Sequence, residues 1–564
     1  MTRELKNILF VPHSAAGETN ASDHAQQGSA LSLTRRALSV FRTVWTMFMV
    51  VVTSLPYLIN FASTPYGYHY TWILPPYPED SFGYMAWSQQ AARGALLFKI
   101  KYTALPQSAF LFQPFFLVCG WASSLSGVNV AIVGFVMKEI GVVLLFLAFY
   151  KYTDYLRLTA FQAMVATAFL GISSGVGGAM ALIGLARGPA VISGDLFMPD
   201  MNTYWSLLWN PLFPYSLLLM LLTIYFVDRG TRNSRKSDMW AASVCSGVLA
   251  LVHPYSQPLL LTLAIVIIAV RHRKDWLAYL ARYLAAVIPC LAYLVLVSTL
   301  QPVVARHNSN GAMLSPAIQS YLLGFGIPLL IAIIGLVLER CQLLKRYWQL
   351  VLWFGLSLGF AYLPLWFQYK LIFGAHIPLC ILAALSLDLA LRRCLGRGKR
   401  TWMVALSVLI IMPAVAITPV YLAVILQRDV RNNANGVYYI SNDLQNGFNF
   451  LKQHSSPNDI VMATVETSSL LPAYTGNTVL WGHWAMSVDF DTRRRWVNNL
   501  LTQQGQDDKA GEEFWGSGIQ FVFADGALWR NIRDKPRNWK GILKNADIVF
   551  HNDSVVVYKH RSGC

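Results

Sequence analysis

The sequence predicts a polytopic α-helical membrane protein of about eleven transmembrane helices, followed by a C-terminal extracytoplasmic α/β domain. Composition is the first observation behind this. Of 564 residues, 55% are hydrophobic and 13% charged, with mean hydropathy +0.43, whereas soluble domains carry about 25% charged residues. The second is the placing of basic residues in short clusters between apolar runs, the positive-inside pattern. The third is a change of character near Arg428, where short β-rich runs begin to alternate with polar helical stretches.

Residues 1–38 read as a polar cytoplasmic tail that ends in Arg35-Arg36. They lack the short apolar region directly behind the start that a secretory signal needs, so the first span is expected to stay as an anchor. A crossing takes about 20 apolar residues. Spans are read near 40–60, 129–150, 159–182, 210–227, 239–253, 256–270, 279–300, 317–338, 348–365, 371–390 and 402–426. His253-Pro254-Tyr255 divides the 239–270 stretch, because proline interrupts a helix.

The run from Phe110 to Leu125 is also apolar, and loop charge decides its place. The clusters Lys151/Arg157, Arg229/Arg232/Arg235/Lys236, Arg271/Arg273/Lys274, Arg340/Lys345/Arg346 and Arg392/Arg393/Arg397/Lys399/Arg400 all belong in the cytoplasm. A crossing at 110–125 would put every one of them on the wrong side. The run is therefore expected to lie in the outer interface, amphipathic or re-entrant. Lys138 and Glu139 inside the next span should pair or face the bundle interior. This bookkeeping leaves the carboxyl end outside.

The net charge of +17 is spread over these loops rather than gathered in a basic patch, so no nucleic-acid partner is expected. Seven cysteines are scattered without a CxxC spacing, which indicates neither a metal site nor a disulfide framework. In the tail, β runs are read at Asp459–Val465, Ile519–Ala524 and Ile548–Tyr558, and polar helices at Phe448–His454 and Thr492–Gln503.

The outer loops hold few charges. Glu79 and Asp80 come first, in the stretch Tyr77-Pro78-Glu79-Asp80-Ser81-Phe82-Gly83-Tyr84, then Asp195 and Asp200, His253, Arg306 and His307, and Lys370 with His376. A carboxylate kept near lipid is costly to desolvate. Carboxylates facing cations at the outer face suit a reaction on an anionic, lipid-linked substrate. The acid deprotonates a hydroxyl or holds a divalent metal, and the cations neutralise a phosphate that leaves with the lipid. Simpler roles exist for each: a solvated loop acid, turn and cap work around Pro199 for Asp195 and Asp200, a helix end for His253, and snorkelling for Lys370. Trp205–Trp209 reads as an interfacial belt.

The layout resembles the GT-C superfamily of integral membrane glycosyltransferases, which use polyprenyl-phosphate sugars. The matching features are the first-loop acids Glu79-Asp80, an interfacial run (Phe110–Leu125) before a span with Lys138, and second-loop acids Asp195 and Asp200. Gly374-Ala375-His376-Ile377-Pro378-Leu379-Cys380 is similar to a late span of bacterial members. The tail segments Glu466-Thr467-Ser468-Ser469-Leu470-Leu471-Pro472-Ala473-Tyr474-Thr475-Gly476 and Gly482-His483-Trp484-Ala485 are similar to tails of bacterial membrane proteins of this kind. There a structural turn and acceptor contact by Glu466 and His483 both fit. The tail lacks the WWDYG motif of oligosaccharyltransferases.

The resemblance implies three parts: the cytoplasmic tail 1–38, a GT-C-like transmembrane domain 39–427 with outer loops 61–128 and 183–209, and the extracytoplasmic domain 428–564. It implies an inverting glycosyltransferase at the outer face of a bacterial plasma membrane. Its partners are the bilayer, a polyprenyl-phosphate-linked sugar and a glycan, lipid or protein acceptor. Asp80 would be the base, supported by Glu79. Lys370, His376 and Arg306 would meet the phosphate, and Asp195 and Asp200 would hold magnesium or manganese if a metal is used. The rival readings are a transporter or flippase, which needs charged or broken helices at the midplane and internal repeats, and a non-catalytic envelope assembly protein.

Overall fold

Helix length separates two kinds of element in the computed structural model, which describes residues 21–185, 192–272, 274–301, 303–304, 313–338, 342–394, 400–433, 436–502, 507–534 and 536–561. Among these residues seven helices are long and apolar enough to cross a bilayer: Arg35–Ala62, Val130–Tyr155, Pro254–Arg271, Trp276–Leu300, Ile318–Leu338, Gln368–Arg393 and Ile411–Asn432. Pro114–Ser126, Ala160–Ile172 and Trp348–Phe360 are apolar but shorter. Helices Phe213–Arg232 and Lys236–Val252 occupy two further stretches read as spans. The chain is a multi-pass membrane protein. Val44, Val51, Leu55 and Leu58 of the first helix are exposed, an apolar stripe that water would penalise and lipid tails solvate.

The described chain forms two compact units. One is built from parts of Met1–Pro56, Lys138–Leu291 and Ala312–Ile425, the other from parts of Tyr57–Met137, Ala292–Gly311 and Leu426–Cys564.

In the first unit the helix His376–Cys394 packs against Ile318–Leu338, Ala160–Ile172 and Trp348–Phe360. Small residues permit the approach: a Cβ added at Gly335 would collide with the Ser386 side chain. Lys138 is fully buried and pairs with Glu139, as the sequence predicts. Its Nζ also donates to Thr53 O at 3.1 Å, and Thr53 Oγ1 donates to Glu139 at 2.8 Å. Each buried charge thus has a partner, which the interior of a bundle demands. Basic loop residues are paired too: Arg42 binds Asp154 at 2.6 and 2.9 Å, and Arg229 binds Asp238 at 2.5 and 2.7 Å. The helix Thr203–Trp209 is buried throughout. Trp205 and Trp209 therefore fill the interior instead of forming the expected belt.

In the second unit the helix Pro114–Ser126 has 13 residues, too few to cross alone. It packs on the helix Pro78–Ala92 and exposes Val118, Trp121 and Leu125. This is the one-sided helix expected for the run 110–125. Strand β1 (Tyr68–Tyr70) of the first loop pairs antiparallel with β2 (Tyr439–Ser441) of the tail. Five more strands, β3 (Ile460–Met462), β4 (Thr478–Val479), β5 (Ile519–Ala524), β6 (Ala546–His551) and β7 (Val556–His560), form one sheet in the order β4-β3-β5-β7-β6. The β3–β4 and β3–β5 pairs are parallel, the β5–β7 and β6–β7 pairs antiparallel. Phe514, Val522, Trp539 and Ile542 lie in its hydrophobic core.

The tail differs from its sequence reading in three places. Only three residues of Asp459–Val465 are strand, because Thr464 accepts from Thr467 N and caps the helix Val465–Tyr474. That helix, not a turn, carries Glu466. The run Ile548–Tyr558 is a hairpin, reversed where Asn552 N donates to Val555 O at 3.0 Å. Side chains of the first loop hold this tail: Tyr102 donates to Ser469 O at 3.0 Å, Arg93 to Thr475 O at 2.8 Å and Lys101 to Pro457 O at 2.6 Å.

Candidate active-site carboxylates

The first-loop acids begin a helix. Pro78 opens Pro78–Ala92, where its missing N–H costs nothing. Glu79 and Asp80 follow in the first turn, where the helix dipole favours negative charge. Both are half-buried. Burial pushes the Glu79 carboxyl above its ordinary range, and the nearby carboxylates of Asp80 and Glu466 add to the effect. Glu466 itself is exposed in the first turn of Val465–Tyr474, a helix packed on Pro78–Ala92.

His483 comes to these acids from the tail. Its Nε2 lies 3.2 Å from Asp80 Oδ1, with His483 1% and Asp80 27% exposed. Among the described residues Nε2 makes no hydrogen bond, the approach to Asp80 included. A tight turn fixes the ring. The backbone N–H groups of Ala485 and Met486 donate to Nδ1 at 3.1 and 3.3 Å. Those of Gly482 and His483 donate to Ser487 Oγ at 3.0 Å, and Ser487 N donates back to His483 O at 3.0 Å. Gly482 has φ +154°, and a Cβ there would come within 2.7 Å of the Ser468 backbone. Only glycine permits that approach.

Glu79, Asp80, Glu466 and His483 thus share one neighbourhood within the second unit. The sequence singled out His483 and Glu466 as tail residues for acceptor contact, but not that His483 faces Asp80. The available signal was local: a glycine before the histidine and a serine four residues after it. Lys101 was also overlooked. It is 5% exposed, and burial, with Lys99 and Arg93 adding, lowers its amine to about 8.

Lys370, Asp200, Asp195, His376 and His253 lie in the first unit. Lys370 Nζ binds both oxygens of Asp200 at 3.0 and 3.2 Å, and stands 4.8 Å from the Tyr369 ring centre. Asp195, in the turn Gly194–Leu196, accepts from Ser193 Oγ at 2.5 Å, Ser174 Oγ at 3.1 Å and Gly177 N at 3.4 Å. His376 is buried. Thr203 N donates to its Nδ1 at 3.3 Å, and Nε2 is 3.1 Å from Ser173 Oγ. It joins three segments. His253 ends the helix Lys236–Val252 and is hydrogen-bonded to Ser256 at 2.8 Å. Arg306 and His307 lie outside the described residues.

A divalent metal does not fit the two acids expected to hold it. Asp195 is occupied by hydrogen-bond donors and Asp200 by an ammonium. Among the described residues no three His, Cys, Asp or Glu side chains form a group that could hold a metal ion.

Neither a protein family nor a curated protein matches the sequence. Among solved structures the chain is similar to ArnT from Cupriavidus metallidurans, with TM-score 0.49 and 13% identity over 92% of this chain and 98% of that one. It is similar to oligosaccharyltransferase AglB from Archaeoglobus fulgidus, solved with an inhibitory peptide and a dolichol-phosphate (TM-score 0.46, 12% identity, 93% and 75% covered). A third is arabinofuranosyltransferase AftD from Mycobacteria (TM-score 0.49, 15% identity), of which the chain covers 40%. At such scores the function of this chain has to be argued from its own residues.

Proposed function

We propose that this chain is an inverting GT-C glycosyltransferase that moves a sugar from a polyprenyl-phosphate donor to an acceptor hydroxyl at the outer face of the plasma membrane. One observation carries the reading: Asp80 is a partly open carboxylate beside a buried histidine that its own turn holds in place. Eleven crossings, an inner amino end and an outer tail, with boundaries at 38 and 427, would put Asp80 outside near the bilayer.

Asp80 takes the proton of the acceptor hydroxyl as its oxygen attacks the anomeric carbon. The new carbon–oxygen bond forms while the bond to the phosphate breaks, and the electron pair leaves on the lipid phosphate. Attack from the face opposite the leaving group inverts the anomeric carbon. Glu79, raised by burial, shares the negative field and becomes a second resting place for the proton. Glu466, exposed on its helix, is a point of acceptor contact. Lys370 is the cation that would meet an anionic substrate group, in exchange for Asp200.

The test uses purified protein in lipid with a panel of radiolabelled polyprenyl-phosphate sugars. Sugar release or transfer, with the opposite anomeric configuration in any transferred product, is the expected result. No turnover of any donor, or retention of configuration, would overturn the reading and favour transport or assembly.

A further inference from the structure

We propose that His483 is a positioning residue for Asp80, locked by its own turn as a neutral ring whose single proton stays on Nε2. The inference rests on the reading of Asp80 as the base, and it limits where the acceptor's proton can go.

The argument starts from the backbone. A backbone N–H can only donate, and two of them, from Ala485 and Met486, point at Nδ1. Nδ1 must therefore offer its lone pair, and in the neutral ring the proton sits on Nε2. Protonating Nδ1 would break both contacts and set three N–H groups against one another in a buried turn. Each lost contact costs a backbone N–H its ring acceptor. The turn is closed from the other side by Ser487 Oγ, which accepts from Gly482 N and His483 N. The ring is also walled in: Tyr102 lies 5.5 Å away centre to centre, and a Cβ at Gly83 would come within 3.1 Å of Met486 and 3.8 Å of the imidazole.

The charged and titratable groups around the ring are Asp80 and Glu79 of Pro78–Ala92, Glu466 of Val465–Tyr474, and the buried Tyr102. Three are acids that would ordinarily invite an imidazolium. The turn opposes it, because the second proton would have to go to the nitrogen already holding two donors. His483 thus turns its Nε2 edge toward Asp80 at 3.2 Å, a close approach short of hydrogen-bond alignment, while leaving the negative charge on the carboxylate. A proton taken from the acceptor oxygen ends on Asp80, and leaves by Glu79 or solvent, never through His483.

The experiment uses the full chain in lipid nanodiscs with nitrogen-15 histidine, and assigns the His483 ring from the signal lost in His483→Asn. The expected spectrum of the neutral ring has Nε2 protonated and Nδ1 bare. A neutral ring with its proton on Nδ1 would overturn the proposal. Two variants give an independent readout on donor turnover. His483→Asn keeps an acceptor for the turn but has no donor at the Nε2 position, so it should melt close to wild type yet lose turnover on the order of 100-fold. His483→Gln restores an N–H at that position and should recover at least about ten-fold of the loss. Wild-type turnover in His483→Asn would also overturn it. If no donor is turned over by wild type, the transferase reading falls, and the spectrum still decides the state of the ring.

Discussion

Lys370 Nζ reaches both carboxylate oxygens of Asp200, at 3.0 and 3.2 Å, with the lysine 15% and the aspartate 1% exposed. The charges are poorly solvated, so each depends on the other. Asp200→Ala should destabilise the protein by about 2 kcal/mol or more, because it strips a half-buried ammonium of its main counter-charge. The double variant Asp200→Ala with Lys370→Met should recover a large part of that loss. Thermal melts of the two variants in detergent check this. A double variant as unstable as the single one would contradict it.

Gly482 is required by the turn and not by contact with substrate. In Gly482→Ala the new Cβ would meet the Ser468 backbone at 2.7 Å. Relief has to come from movement of the 482–487 turn, at a cost of about 1–3 kcal/mol. The expected outcome is lower stability together with a loss of donor turnover comparable to that of His483→Asn. Ser487→Ala, which removes only the hydroxyl that closes the turn, should give a smaller version of both effects.

Glu79 exchanges stability for chemistry. Burial raises its carboxyl in the folded protein, so the ionised group opposes folding. That opposition is absent below the unfolded value of about 4.3 and grows as pH rises through the folded one. Glu79→Gln should therefore melt higher than wild type at pH 7, with the difference closing toward about pH 4. Turnover should fall in the same variant. Melting curves over this range and donor turnover at pH 7 are the checks, and a variant less stable than wild type at pH 7 would contradict the cause assigned.

Much of the membrane part could be read from pattern. Apolar length marks the long helices, although the run read at 159–182 is helical only over Ala160–Ile172 and Gly177–Leu182. The helix Pro78–Ala92 that carries Asp80 falls inside a stretch that the pattern offers only as an outer loop. Lys138 and Glu139 could be paired in advance because a span allows little else. What the pattern could not reach was pairing across long separations. His483 meets Asp80 because the first loop and the tail fold together through β1 and β2, through Tyr102 and Ser469, and through Arg93 and Thr475. No local period records that. The same blindness hid the partners of His376, which are Ser173 and Thr203. It affected Trp205 and Trp209 as well, since aromatic residues near a span end suit an interface and an interior equally.

Asp80→Asn measured against wild type with radiolabelled polyprenyl-phosphate sugars, in protein shown to be folded by its melting curve, tests the central claim most directly. The change keeps shape and removes the charge that accepts the proton. Turnover should fall by at least about 100-fold, with donor binding retained. Turnover within a few-fold of wild type in folded Asp80→Asn would contradict the account and remove Asp80 from the role of base.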